Sequence, residues 1–95
     1  MPWGFIQELP VSREEYDRID QAITDDPEGL IVHTASEKDG RIRVIDIWES
    51  KDAYQRFERD TLMPAVQGVV SGPPQGGPPP MDEFEIHNIR GHTHA

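Results

Sequence analysis

The chain contains no cysteine, which excludes a disulfide framework, a thiolate metal site and a catalytic thiol. No stretch approaches the ~20 apolar residues that a transmembrane helix needs. The first residues, Met1–Pro10, have neither the basic region nor the long apolar run of a secretory signal peptide. We therefore expect a cytoplasmic protein without a membrane partner.

Basic side chains are also scarce. The chain has 9 Lys and Arg against 18 Asp and Glu, a formal net charge of −9. Such a surface repels phosphate backbones and anionic lipids, so we expect no nucleic-acid partner. The 95 residues form one domain with a thin stability margin, and oligomerisation is a common remedy for so small a core.

The N-terminal third predicts a strand followed by a helix. Trp3–Leu9 alternates between apolar and other residues and is stopped by Pro10, as in a strand. Ser12 and Glu15 then form the S-R-E-E capping box that starts a helix. Its apolar stripe consists of Tyr16, Ile19 and Ile23.

Leu30–Glu49 predicts a β-hairpin. The mostly apolar run Leu30–Ser36 is followed by the turn Glu37–Gly40, in which Asp-Gly readily supplies the positive φ of a tight hairpin loop. The β-branched residues of Arg41–Glu49 form the returning strand.

A second helix is predicted from Lys51 to Val69, with Ser50 as its N-cap. Pro64 lies inside it and predicts a kink or a break at Leu62–Met63, because proline removes a backbone donor. Residues 68–80 read as a Pro/Gly connector, 81–90 as a final alternating strand and 91–95 as a flexible tail.

The element order β-α-β-β-α-β predicts a single α+β domain over residues 1–95. It is the ferredoxin-like arrangement, with two helices on one face of a four-stranded antiparallel sheet. The other face then lacks a cover, and a second copy would cover it, so we expect a homodimer. The apolar residues expected on that open face are Trp3 or Phe5, Ile42, Val44, Trp48, and Phe84 or Ile86.

Several segments together resemble a family. They are G-L-I-V-H (29–33), R-V-I-D-I-W-E-S (43–50), A-Y-x-R-F (53–57), L-M-P-A (62–65) and F-E-I-H-N-I (84–89). The succession resembles small bacterial dimeric α+β-barrel proteins related to the antibiotic biosynthesis monooxygenase-type (ABM-like) domain, over about residues 3–90. The resemblance implies two protomers packed sheet to sheet, each with a cavity between its sheet and its helices.

The resemblance also implies that Trp48 lines this cavity, as the Trp at the end of the third strand does in the monooxygenase-like and haem-degrading relatives. The Asn and His that complete the haem-degrading set have no matching positions here. Position 7 is Gln and the second helix contains no His.

Two candidate catalytic residues lie on the hairpin. His33 stands inside an apolar strand, where its ring needs a partner, and it is the best single acid/base candidate. Asp46 shares a strand face with Trp48 and is a candidate general base. A structural hydrogen bond for His33 and a salt bridge for Asp46 are the alternative interpretations.

The predicted ligand-binding residues are Phe5, Trp48, Tyr54 and His87. Trp48 offers a large flat surface and an N–H donor, although an aromatic core residue would have the same sequence pattern. Tyr16 and Tyr54 fall on the inward stripes of the helices, a position more typical of core residues than of catalytic ones. Strand parity alone leaves open whether His33 and His87 face the same side.

No metal and no cofactor are expected, since H-x-H at positions 92–94 is a weak metal signal and no glycine-rich phosphate loop is present. The leading hypothesis is a homodimeric barrel that binds a small apolar or aromatic ligand as a cofactor-independent monooxygenase or isomerase. The alternative is a non-catalytic dimeric binding or assembly module.

Overall fold

The computed structural model describes residues 1–69 and 80–91. Most of the predicted Pro/Gly connector and of the predicted flexible tail therefore lies outside the described residues. The elements, in chain order, are β1 (Trp3–Leu9), α1 (Arg13–Ala22), β2 (Leu30–Lys38), β3 (Arg41–Trp48), α2 (Lys51–Phe57), a π-helical segment (Glu58–Leu62), α3 (Met63–Val69) and β4 (Met81–Glu85).

The four strands form one antiparallel sheet in the order β2-β3-β1-β4. The helices pack on one face of it, which confirms the predicted ferredoxin-like α+β fold. The last strand is shorter than predicted. It ends at Glu85, so His87 and Ile89 follow the strand instead of lying within it.

The first helix begins as its sequence predicts. The Ser12 side chain accepts a hydrogen bond from the Glu15 backbone N–H, and the Glu15 carboxylate accepts one from the Ser12 N–H. This capping box satisfies backbone donors that have no partner within the helix. It starts α1 in the phase that turns Tyr16 and Ile19 toward the sheet.

The β2–β3 hairpin has a two-residue turn. Asp39 and Gly40 have φ values of 53° and 76°, and Lys38 pairs with Arg41 across the turn. Two successive positive φ values match the right-handed twist of the flanking strands. The predicted Asp-Gly hairpin is confirmed.

The second helix is interrupted where Pro64 predicts it. Its α-helical part ends at Phe57, a π-helical turn follows, and α3 starts at Met63. In the π turn the Met63 N–H donates to the Glu58 carbonyl, five residues earlier. Because proline has no N–H to continue an α-helical ladder, the wider turn precedes it and the helix runs on.

The core lies between the helices and the inner face of the sheet. Trp3 and Phe5 of β1 and Trp48 of β3 are buried there, together with Ile42 and Val44. The expectation that Ile42, Val44 and Trp48 lie on the open face is wrong, as is the expectation that Trp3 or Phe5 lies there. The helix α2 follows β3 within three residues and packs on the face that carries these side chains.

The open face carries the opposite residues of each strand. Val32, Ile45 and Phe84 are 42%, 39% and 37% exposed there. Phe84 is the one position of the expected set that this face exposes as a large hydrophobic residue, beside the half-buried Ile86. The described residues thus leave an apolar stripe across the sheet without a cover.

Candidate functional site

Two short hydrogen bonds join three side chains at one end of the sheet–helix layer. Nδ1 of His33 lies 2.6 Å from Oδ1 of Asp46, and Nε2 of His33 lies 2.6 Å from the hydroxyl oxygen of Tyr16. We call these three residues the relay. Both nitrogens of one imidazole are therefore engaged, one by a carboxylate and one by a phenol.

Three different elements supply the relay. His33 on β2 and Asp46 on β3 are direct partners in the antiparallel register, so their side chains leave the sheet side by side. Tyr16 comes from α1, above the sheet, and its ring lies nearly parallel to the imidazole at 16°. The capping box at the start of α1 sets the phase that brings this tyrosine over β2.

Asp46 is a buried carboxylate with both oxygens engaged. It is 5% exposed, and its Oδ2 accepts a hydrogen bond of 3.1 Å from the indole N–H of Trp48. Burying a charge costs far less when each oxygen has a donor. The predicted proximity of Asp46 and Trp48 on one strand face is thus a direct hydrogen bond.

The hydrogen bonds define the tautomer of His33. An ionised carboxylate only accepts, so Nδ1 of His33 carries the hydrogen that is donated to Asp46. In the neutral imidazole Nε2 is then an acceptor, and the Tyr16 hydroxyl donates to it. When Nε2 is protonated, it donates to the Tyr16 oxygen, and the tyrosine hydrogen is free to be donated elsewhere.

The electrostatics of the relay favour the protonated forms. The hydrogen bond to Asp46 raises the pKa of His33 above its ordinary value, while partial burial opposes that rise. Burial, with the charges of Asp20, Asp46 and Asp17, raises the pKa of Tyr16 to about 12. Tyr16 therefore stays a neutral phenol near pH 7 and can donate or relay a proton, but it is no phenolate nucleophile.

The other predicted ligand-binding aromatics pack together. Trp48 is 1% exposed, and its ring lies 5.4 Å from that of Tyr54 and 5.3 Å from that of Phe57. Phe5 lies 4.8 Å from Tyr54 on the other side. The Tyr54 hydroxyl donates to Glu58. These side chains fill the layer between the sheet and α2 in the described residues, and their ligand-binding roles stay predictions.

His87 is far from the relay. It follows β4 at one edge of the sheet, whereas His33 lies on β2 at the opposite edge. Within residues 1–69 and 80–91, no group of three or more His, Asp or Glu side chains could hold a metal ion. Positions 92–94 are outside that range.

A shallow depression of about 240 Å³ opens beside Tyr16, between the first turn of α1 and the second half of β2. Its lining includes the apolar residues Ala35 and Ile42 and three charged residues. Tyr16 is the relay residue that lines it. The full lining is Arg13, Tyr16, Asp17, Ala35, Ser36, Glu37 and Ile42.

Tyr16 is the relay residue that the sequence interpretation placed in the core. Its position on the inward stripe of α1 was predicted, but its hydrogen bond depends on which turn of the helix lies over β2. The available signal was a lone histidine inside the apolar strand, which required a polar partner.

The part of the chain that the structure describes contains no helix that could span a membrane.

No protein-family model matches the sequence, and no curated protein matches it. Solved structures do share the fold. An antibiotic biosynthesis monooxygenase-type protein from Chloroflexus aurantiacus J-10-fl is similar at a TM-score of 0.68 and 12% identity, over 96% of this chain and 98% of that one.

Two further similar structures carry functional names. SnoaB from Streptomyces nogalater, a cofactor-independent oxygenase, is similar at a TM-score of 0.60 and 16% identity, over 93% of this chain and 95% of that one. The heme-degrading protein Rv3592 from Mycobacterium tuberculosis is similar at a TM-score of 0.51 and 18% identity, over 96% of this chain and 100% of that one.

These likenesses define a class by its fold. The chain has the ferredoxin-like fold of antibiotic biosynthesis monooxygenase-type domains, as the sequence resemblance implies. At identities of 10–18% the likeness extends to the fold alone.

Proposed function

We propose that this protein is a cytoplasmic homodimer that binds a small aromatic ligand and removes a proton from it. It would act as a cofactor-independent oxygenase of hydroxyarenes. The observation that carries the proposal is the relay, with its two hydrogen bonds of 2.6 Å on one imidazole. A base held by a buried carboxylate and connected to a hydroxyl is the usual arrangement for proton abstraction.

The proton path follows from the tautomer of His33. The phenolic hydrogen of a ligand is donated to the Tyr16 oxygen while the tyrosine hydrogen passes to Nε2 of His33. Tyr16 stays neutral throughout, in keeping with its pKa of about 12. The buried Asp46 carboxylate stabilises the imidazolium that forms.

Deprotonation makes the ligand a reductant of O₂. For a hydroxyarene whose tautomer has a ring methylene, the carbanion forms a C–O bond to O₂, and the peroxide takes the proton back from His33 through the Tyr16 hydroxyl. Loss of water then leaves a carbonyl. The balance is R₂CH₂ + O₂ → R₂C=O + H₂O, in which the methylene carbon is oxidised and O₂ is reduced.

The depression beside Tyr16 is the proposed ligand site. At about 240 Å³ it lies below the usual range for drug-sized ligands, so it favours a ligand of few rings. Among the charged residues that line it, Asp17 and Glu37 outnumber Arg13. An uncharged phenol is therefore favoured over a polyanion such as haem with its propionates.

Oxygen uptake with anthrone and with simple naphthols tests the proposal. We expect His33→Gln to lower the turnover rate by about 10²–10⁴-fold, the usual contribution of a general base. Asp46→Asn and Tyr16→Phe should also lower it, because each removes one hydrogen bond of the relay. Glu8→Gln, at an exposed carboxylate of β1 that belongs neither to the relay nor to the lining of the depression, is the control. Full activity in His33→Gln would overturn the proposal.

A specific observation favours a second candidate, the non-catalytic dimeric module. The aromatic side chains of Trp48, Tyr54 and Phe5 fill the layer where a ligand cavity was expected. In that case the relay only fixes α1 to the sheet. No oxygen uptake and no ligand-induced rise in Tm with phenols, quinones or haem would favour this candidate. A ligand at 100 times its Kd stabilises the fold by about 2.7 kcal/mol.

The open sheet face supports the homodimer in both candidates. Val32, Ile45 and Phe84 form its exposed apolar stripe, and a second copy would bury the same stripe by two-fold symmetry. The relay lies on the other face of the sheet, so it would stay accessible in such a dimer.

A further inference from the structure

The side chain of Trp48 has one polar atom, its indole nitrogen, and this nitrogen donates its hydrogen to the relay. Its indole N–H donates to Oδ2 of Asp46 at 3.1 Å, and the bond is fully buried. Asp46 and Trp48 are two positions apart on β3, so both side chains leave the same face of the strand. The indole therefore reaches back over the carboxylate of its own strand.

The indole itself is held firmly. The Trp48 ring makes an edge contact with Tyr54 at 69° and a tilted contact with Phe57 at 35°. With 1% of the residue exposed, the ring has no space to turn. The direction of its N–H is therefore fixed by packing.

A carboxylate of aspartate rotates easily about its last bond, because that torsion is broad and two-fold. Two donors on different oxygens remove this freedom. His33 engages Oδ1 of Asp46 and Trp48 engages Oδ2. With the indole donor in place, Oδ1 is the oxygen presented to Nδ1 of His33.

We infer that Trp48 is a positioning residue of the relay: its N–H holds the Asp46 carboxylate so that Oδ1 faces Nδ1 of His33. Trp48 thereby selects the His33 tautomer that leaves Nε2 for Tyr16. Its role for the reaction rests on the proposed function, whereas its role in orienting Asp46 stands on the geometry of this site. No contact between the indole and a ligand is needed.

The test uses the imidazole of His33 as a reporter, followed by NMR of its ring nitrogens and carbon-bound hydrogens. The charged and titratable groups that face this ring are Asp46 from β3 and Tyr16 and Asp20 from α1. The signals are assigned by their loss in His33→Gln, since the chain has 4 His.

Trp48→Phe keeps an aromatic ring and removes the donor. We expect the pKa of His33 to fall toward 6.5 and the two neutral tautomers to mix, because Asp46 then turns away from Nδ1. If Trp48→Phe does not fold, benzothienylalanine at position 48, which replaces the indole N–H by sulfur at nearly the same shape, gives the same test. Both variants should also shift the pH profile of any oxygen uptake.

Trp3→Phe is the matched control. Trp3 belongs to the same aromatic cluster and its ring lies 5.4 Å from that of Tyr54, but it comes from β1, and the indole that donates to Asp46 is that of Trp48. It should leave the His33 titration unchanged.

An unchanged His33 pKa and tautomer in the position-48 variants would overturn the inference. A rise of the His33 pKa would overturn it as well. It would mean that the indole N–H only weakens the Asp46 carboxylate as an acceptor and does not orient it. The titration needs no substrate. If the wild type consumes no oxygen but the position-48 variants lose the tautomer, the proposed function fails and the positioning role stands.

Discussion

The carboxylate of Asp46 and the imidazole of His33 are direct cross-strand partners on the inner face of the hairpin, joined at 2.6 Å. This pair places a charged acceptor, 5% exposed, against a half-exposed ring that can take up a proton from solvent or from a ligand. Everything proposed for the site depends on this pair.

The hydrogen bond to Asp46 raises the pKa of His33. Asp46→Asn keeps the size of the side chain and removes its charge, so the pKa of His33 should fall from its raised value toward 6.5 or below. NMR titration measures it. Glu8→Gln, at an exposed carboxylate of β1, serves as control. A His33 that titrates as in the wild type would show that the pair is not charge-assisted.

The same shift predicts a pH dependence of stability. Because the folded-state pKa of His33 lies above the unfolded value of about 6.5, its contribution is fully present below pH 6.5. It is lost as the pH rises through the folded pKa. Urea unfolding at several pH values should therefore show the wild type losing stability over this window relative to His33→Gln. Parallel curves for the two proteins would contradict the prediction.

The two tyrosines should ionise abnormally late. The pKa of Tyr16 is raised to about 12 by burial and nearby carboxylates, and that of Tyr54 is raised further by burial and Glu58. In the folded protein, absorbance at the tyrosinate band should stay low near pH 10–11. In urea both should ionise near pH 10, so folding stability falls as the pH rises from about 10 toward 12. In Tyr16→Phe the one remaining tyrosine is Tyr54, so the absorbance then reports its ionisation separately.

Gly4 and Gly68 should respond oppositely to alanine. A Cβ on Gly4 would lie 2.8 Å from the Asp46 carbonyl oxygen, a backbone atom of the paired strand, and 2.9 Å from Ile86. Gly4→Ala should therefore cost about 1–3 kcal/mol of unfolding free energy, as overpacking does. A Cβ on Gly68 in α3 would have no described residue within 4 Å, so Gly68→Ala should gain about 0.5–1 kcal/mol. Urea denaturation compares them, and equal effects would contradict the sheet register.

The dimer prediction is tested at the open face. Ile45→Glu should convert the proposed homodimer to a monomer in sedimentation equilibrium, because it places a charge in the middle of the apolar stripe. Met63→Glu is the control, since Met63 is exposed to a similar degree on α3 instead of on the sheet. A wild type that sediments as a monomer at all concentrations would reject the dimer.

The local features were predictable because they depend on neighbours in sequence. The Asp39-Gly40 turn, the Ser12 cap and the break before Pro64 each follow from backbone chemistry within four residues. His33 and Asp46 were predictable as residue types, since a polar side chain in an apolar strand requires a partner. Their pairing was less accessible, because it needs the register of two strands.

Contacts between layers were harder to predict. Tyr16 meets His33 only because α1 crosses β2 at one particular turn, and no spacing in the sequence states that crossing. Likewise, alternation showed that Ile42, Val44 and Trp48 share a face. Which face receives the helices depends on the whole packing, and there the expectation was wrong.

The two-residue turn at Asp39 and Gly40 also has a consequence for the order of folding. It closes the smallest loop that can join two strands, so the hairpin forms with little chain entropy lost. We expect His33 and Asp46 to meet early, while Tyr16, 17 positions before His33 in the chain, arrives with α1. Substitutions in the turn should then slow refolding, whereas Tyr16→Phe should mainly speed unfolding. Two of the three relay residues would then be paired before α1 packs on the sheet.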